Sequence, residues 1–413
     1  MNLLLLAHRV PYPPNKGEKI RTFHHLSFLL KQGHNVTVVT PLNDNEDKEH
    51  AEQLSNKLSI TVVHLTLRSR ILRLAKGMLR GQALSVANFH STALQNKVDH
   101  LLESNTPDVL MCTSSAMAAY VLNETTMDKI RRKRIRLVMD FMDLDSLKWE
   151  QYKDRKPWPI SLIYSREAKL LSRFESQILT AFDASLFVTV DEKDLLQSES
   201  HISSKVHVVS NGVDTDMYYP AADNSARTDN TAANGPVLLF TGVMDYFPNE
   251  DAVIWFADEI WPQLKDKYPQ AKFIVAGMRP SRKIQALDKI DGIEVTGYVE
   301  DILPYYQQAD VLIAPFRLAR GIQNKILQAM ACGLPVITSA AGAAGIDCES
   351  GKELLIASDA TDYIANIEKL ITDDELCESI RNAGLKLVQQ KYSWDAENAQ
   401  LEYILSGRIA DQL

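Results

Sequence analysis

Ala221–Gly235 reads AADNSARTDNTAANG, fifteen small or polar residues with no apolar period. Such a stretch cannot bury a face and reads as a linker. The same alternation stands on both sides of it. Before it come the apolar, β-branched runs Leu3–Ala7, Val36–Thr40, Ile60–Leu65, Val109–Cys112, Leu137–Phe141 and Ala184–Val190, separated by helical patterns. The first helix is expected from about Gly17 to Lys31, with a stop at Gly33. After the linker, Pro236 opens a second series: Val237–Thr241, Lys272–Ala276, Ile293–Thr296, Val311–Ala314 and Val336–Thr338. Short buried runs alternating with helices mark parallel α/β sheets. Two such series predict two doubly wound, Rossmann-like domains facing a cleft. The expected bounds are 1–220, a flexible linker at 221–235, a second domain at 236–390, and a terminal helix within 391–413.

Composition agrees with two ordinary globular cores. The chain has 413 residues, 45% hydrophobic and 24% charged, too many for one core of usual size. The apolar start Met1–Ala7 is too short for a signal peptide or a span, and no other stretch approaches one. A soluble or peripheral protein is expected. Cys112, Cys332, Cys348 and Cys377 are scattered, which disfavours zinc or a disulfide framework and suits a reducing cytoplasm. Through Pro220 there are 28 basic against 25 acidic residues, and after it 17 against 28. The halves are expected to face different partners.

A strand that feeds a helix presents free N–H groups and a positive dipole end, where anions bind. Three places have this form. One is the loop His8–Gly17, with Lys16, Lys19 and Arg21 around it; a tight turn with solvated charges is the competing reading. Another is Gly242 at the tip of Val237–Thr241, where glycine either relieves crowding or opens the tip to a ligand. The last is Ala319–Ala331, ARGIQNKILQAMA, with Gly321 ahead of a helix and Arg320 and Lys325 near its positive end. Cations there are unfavourable unless an anion is bound, which points to a diphosphate; a surface helix start with two free cations is the alternative.

Val208–Asp214 (VVSNGVD), Gly297–Asp301 (GYVED), Lys325–Val336 (KILQAMACGLPV), Phe240–Asn249 (FTGVMDYFPN) and Tyr392–Trp394 (YSW) together resemble retaining glycosyltransferase family 4. The resemblance runs from the first strand to Trp394. More narrowly, Ala7–Thr22, Phe141–Ser146 and Ala319–Ala331 resemble the sugar transferases associated with PEP-CTERM and exosortase exopolysaccharide systems. It implies the GT-B fold, with the terminal helix closing back on the first domain, and metal-independent, front-face retaining transfer without a cofactor.

The resemblance also implies roles. Gly17 offers its backbone N–H to the donor from the first domain, and Gly242 lines the diphosphate pocket. Lys325 neutralises the departing phosphates. Gly321, Ile322, Gln323 and Asn324 lead into that helix, Gln328 faces the ribose, and Gly277–Arg279 with Gly297, Tyr298 and Val299 border the base. The chain departs from the family pattern in three ways. Arg320 and Gln328 replace its paired glutamates, so Arg320 suits a phosphate or a charged sugar. Asp245 and Tyr246 stand where an arginine is usual. Met142-Asp143 replaces a His-Asp pair, leaving Asp143 as a hydrogen-bonding group in the cleft.

Asp143-Leu-Asp145 and Asp214-Thr-Asp216 match a D-x-D metal motif, but so many aspartates yield about two such matches by chance. No G-x-G-x-x-G follows a strand, and the histidines form no ligand-spaced cluster. Lys129–Arg136 (KIRRKRIR) reads as a solvated loop before a strand or as a contact for anionic lipid. Arg68–Gly81 (RSRILRLAKGMLRG) suits a helix in a membrane interface, and equally one packed over the acceptor mouth. Nucleic acid is disfavoured by the acidic balance and the absence of a binding module. The expected protein is a cytoplasmic glycosyltransferase, peripheral on the inner membrane face. It would use a nucleotide-sugar donor and a lipid-linked or oligosaccharide acceptor. A catalytically silent nucleotide-sugar-binding scaffold and a GT-B nucleotide-sugar epimerase are the rivals.

Overall fold

Leu3, Leu5 and Ala7 point to one face of the first strand and Leu4 and Leu6 to the other, as the two-residue period of a strand requires, and each set is buried in its own apolar cluster. A strand covered on both faces belongs in the middle of a parallel sheet, and that is where the computed structural model puts it. The structure describes residues 1–14, 17–42, 44–58, 60–66, 69–153, 158, 160–189, 193, 203–222, 235–319 and 322–407. The chain divides into two compact units, Met1–Asn211 with Glu397–Leu413, and Gly212–Ala396.

The N-terminal unit holds β1 (Asn2–Ala7), β2 (Asn35–Leu42), β3 (Thr61–Thr66), β4 (Val109–Thr113), β5 (Arg136–Met142), β6 (Ala184–Phe187) and β7 (Val206–Val208). They form a parallel sheet in the order β3-β2-β1-β4-β5-β6-β7. The C-terminal unit holds β8 (Val237–Thr241), β9 (Lys272–Ala276), β10 (Ile293–Gly297), β11 (Val311–Ala314), β12 (Val336–Thr338) and β13 (Leu355–Ile356), in the parallel order β10-β9-β8-β11-β12-β13. Each order reverses once, between β1 and β4 and between β8 and β11. Such a switch point opens a crevice at the carboxyl ends of the strands. The fold is the GT-B class expected from the sequence. Most of the linker expectation, at 223–234, lies outside the described residues.

Backbone in the left-handed region gathers at those carboxyl ends. Ser114 (φ 69°) follows β4, Met142 (φ 63°) ends β5, Gly277 (φ 146°) follows β9, and Arg279 (φ 56°) stands two residues on. For residues with a Cβ this costs about 1–2 kcal/mol each, a pattern typical of ligand-binding loops.

The helix Gly17–Lys31 begins and ends where the sequence places it. Arg21 is a correction. Expected around the anion loop at Gly17, or solvated beside it in the competing reading, it is instead buried beneath the sheet end, its Nε donating to Asp140 Oδ2 at 2.8 Å and Nη1 to the Val209 carbonyl at 2.7 Å. His25 Nε2 stands 3.6 Å from the same carboxylate oxygen, and its Nδ1 pairs with Asn398 of the terminal helix, Trp394–Leu405. Burial opposes ionisation of Asp140, but Arg21 and His25 outweigh it and hold the carboxyl well below the usual range. From Glu397 on, the terminal helix belongs to the N-terminal unit, where Leu401, Ile404 and Leu405 join the cluster of Leu3 and Leu5.

Candidate functional site

In the C-terminal unit the reversal lies between β8 and β11, and the residues after these two strands meet there. The helix Asn324–Ala331 follows the β11 loop, and Lys325 is its second residue. Lys325 Nζ donates to Asn249 Oδ1 at 2.7 Å and lies 4.0 Å from the Phe240 ring centroid and 4.8 Å from that of Phe316. Asn249 is itself fixed, its Nδ2 donating to the Val243 carbonyl at 2.9 Å. Among the described residues no carboxylate lies within ion-pairing distance of Lys325. Burial pushes its pKa well below the ordinary lysine value. An ammonium held by an amide oxygen and two aromatic faces regains its proton affinity when an anion arrives.

Gly242 makes this approach possible. A Cβ there would stand 2.9 Å from Lys325 Nζ and 2.8 Å from Asn249 Nδ2. Gly277 is stricter, since its Cβ would lie 1.8 Å from the Gly242 carbonyl oxygen. The strand tips are tied together: Gly242 N–H donates to the Ala276 carbonyl, Met244 N–H to that of Met278, and Gly277 N–H to that of Gly297. Gly242, Gly277, Arg279, Tyr298 and Val299 therefore stand on the loops at one end of one sheet, and Lys325 on the helix that begins there. Arg279 and Tyr298 are exposed, with Arg279 only 3.8 Å from Asp245.

Gln328 is less free than the ribose role implies. Its Oε1 accepts from Tyr306 Oη at 3.0 Å, Tyr306 pairs in turn with Thr241 Oγ1 at 2.7 Å, and Gln328 also hydrogen-bonds Tyr218. Ile322 packs against the core, Gln323 is the N-cap without a side-chain capping bond, and Asn324 is exposed. Arg320 and Gly321 lie outside the described residues. The sequence reading missed Asn249; it sits inside the quoted FTGVMDYFPN stretch, but only a contact 76 residues away gives it a role.

The N-terminal unit places Gly17 at the start of its helix, where a Cβ would meet no heavy atom within 4 Å among the described residues. Asp143 follows β5 and pairs with Lys148 Nζ at 2.6 Å. Asp145 accepts from Ser115 Oγ at 3.3 Å, and burial raises its pKa. His8, at the end of β1, lies edge-on to Phe89, and burial and then Arg9 lower its pKa to about 4. Lys129–Arg136 corrects the loop expectation: its first part is the last turn of the helix Glu124–Lys133. Lys129 pairs with Glu103 and Asp99, Lys133 donates to the Leu102 carbonyl, and Arg136 to that of Ile404. Cations at a helix C-terminus are favourable without any external anion.

Known proteins place these features in context. Residues 20–217 match the family model described as Glycosyltransferase Family 4, and residues 235–373 that described as Glycosyl transferases group 1. An uncharacterized 44.6 kDa protein in the cps region of Klebsiella pneumoniae is 20% identical, over 94% of this chain and 96% of its own. D-inositol 3-phosphate glycosyltransferase of Corynebacterium aurimucosum is 26% identical over 58% of this chain, which spans 60% of that relative's length. Anabaena Alr3699/HepE, solved with UDP and glucose, superposes with a TM-score of 0.63 at 15% identity, covering 98% of this chain and 99% of that one. Sucrose-phosphate synthase from Thermosynechococcus elongatus gives 0.65 at 16% identity, covering 98% and 99%.

Proposed function

Because this chain is a glycosyltransferase, with a family 4 domain in its first half and a group 1 domain in its second, we propose that it moves a hexosyl group from a nucleotide diphosphate to a lipid-linked saccharide. The observation that carries this is the Lys325–Asn249–Gly242 cluster at the switch point of the second sheet. In the proposed step the bond from the anomeric carbon to the diphosphate oxygen breaks. The acceptor oxygen bonds that carbon from the same face, and its proton passes to the departing diphosphate. Charge grows on that leaving group, and Lys325 is placed to stabilise it. Retention, independence of metal and the part played by Gly17 are supported by the motif resemblance; Arg320 and Asp143 depart from that pattern, and their parts rest on side-chain chemistry, a cation for a phosphate or charged sugar and a hydrogen-bonding carboxylate. UDP bound by a structural neighbour and GDP-mannose named for a relative set the donor classes to try.

A role in exopolysaccharide assembly at the cytoplasmic membrane face is supported by the PEP-CTERM-type stretches and by the relative from a cps region. Among the described residues no helix is long and apolar enough to cross a membrane, so contact with a lipid-linked acceptor falls to the surface. Gln328, engaged by two tyrosines, favours one second reading, a nucleotide-sugar-binding protein without turnover. The test is nucleotide release from a panel of UDP- and GDP-sugars, with and without membrane extract. Release that depends on the extract is expected. Silence alongside nucleotide binding would establish the scaffold, and an isomerised sugar without acceptor would establish an epimerase.

A further inference from the structure

We infer a second binding site in the N-terminal unit, a cavity that takes the phosphate headgroup of an anionic membrane lipid; it deepens the membrane-surface reading above and rests on it. The helix Arg70–Leu79 lies directly against the helix Leu84–Phe89, because Gly77 has no side chain: a Cβ there would stand 2.3 Å from Ala87 Cβ. Docked on that side, the helix turns Ile71, Leu72, Met78 and Leu79 outward, exposed by 78%, 68%, 45% and 90%. Their spacing puts them on one face. Four large apolar side chains in water mark a contact surface, and among the described residues no neighbour covers this face of the helix.

The flank beside that face is cationic. Arg73, Lys76 and Arg80 line a cavity of about 560 Å³ together with His90, Ser91 and Thr92, and among the described residues no Asp or Glu contributes to its wall. Arg73 is held in place by donating from Nε to the Asn88 carbonyl at 2.7 Å. Ser91 and Thr92 begin the helix Thr92–Ser104, whose N-cap makes no side-chain capping bond. His90 Nδ1 is buried with no hydrogen-bond partner among the described residues. Three cations and an open helix start, around one cavity with no acidic lining among the described residues, complement a phosphate. A soluble anion would leave the adjoining apolar face in water, whereas a lipid headgroup lets that face enter the acyl boundary while its phosphate fills the cavity. Lys129–Arg136, half of whose cations are engaged elsewhere, is not part of this site.

Co-sedimentation of the full chain with phosphatidylcholine vesicles, with and without phosphatidylglycerol at fixed ionic strength, tests the inference. Binding should require the anionic lipid. Lys76→Ala/Arg80→Ala should lower partition about 30-fold, taking each basic residue at the surface at its usual worth, and thermal stability should be unchanged. Arg131→Ala/Arg132→Ala, which removes two exposed cations outside the cavity, should change partition less than about twofold. Equal losses in the two double variants would overturn the cavity while leaving the membrane reading. Indifference to phosphatidylglycerol would overturn both.

Discussion

Replacing Lys325 by alanine should lower turnover by about 10²–10³-fold, the usual loss when one preorganised donor to a developing negative charge is removed. The affinity for intact donor should fall much less. The difference arises because the diphosphate gains charge as the glycosidic bond breaks, so a fixed cation interacts more strongly with the transition state than with the ground state. The ammonium is prepared for this role. Asn249 and the Phe240 and Phe316 rings hold it in place, and no reorientation is needed as charge develops. The fold should survive, since Lys325 forms no ion pair among the described residues. Steady-state kinetics on the donor selected by the panel would check this. Equal losses in donor affinity and turnover would mean uniform binding and remove the leaving-group role.

Asp140→Ala should destabilise the N-terminal unit by about 3–5 kcal/mol, the range for breaking one side of a buried ion pair. Arg21 would remain buried, 1% exposed, with its direct ion-pair partner gone; the Val209 and Ser210 carbonyls and the Asn211 amide oxygen still accept from it, and the Glu397 carboxylate acts on it only through space. For a unit of this size that corresponds to roughly 6–20 °C in the melting temperature of that transition. Because the folded pKa of Asp140 is depressed, its contribution is complete above the unfolded value of about 3.9 and is lost as pH falls below it. Wild type and variant should therefore converge in stability on acidification. Arg21→Met/Asp140→Leu, which removes both charges, should recover part of the loss. A cost below about 1 kcal/mol for the single variant would show that the carbonyls of Val209 and Ser210 suffice to hold the guanidinium.

Elements with strong local patterns were legible in the sequence. β1 is a continuous leucine run, and the helix Gly17–Lys31 has a clear stop at Gly33, so both bounds were close. β7 and β13, of three and two residues, are too short to carry a period and exist only because a neighbouring strand pairs with them. The basic run at 129–136 resembled a loop because charge masks the two turns anchored by Ile130 and Thr126. In the site, Gly242, Gly277 and Lys325 were reachable through family motifs, and the structure brings them to one sheet end. Asn249 and the Arg21–Asp140–His25 cluster were not, because their partners lie 76 and 119 residues away. Such contacts depend on the order of strands, which no local window contains.

The claim on which the functional account stands is that the group beside Lys325 is a diphosphate. Calorimetric binding of UDP and of uridine to wild type and Lys325→Ala tests it most directly, or of GDP and guanosine if the panel selects guanine. The account predicts that the variant loses about 10- to 100-fold in affinity for the diphosphate, as expected for one charge-assisted hydrogen bond, and binds the nucleoside as wild type does. Unchanged affinity for the diphosphate, or equal loss for both ligands, would contradict it.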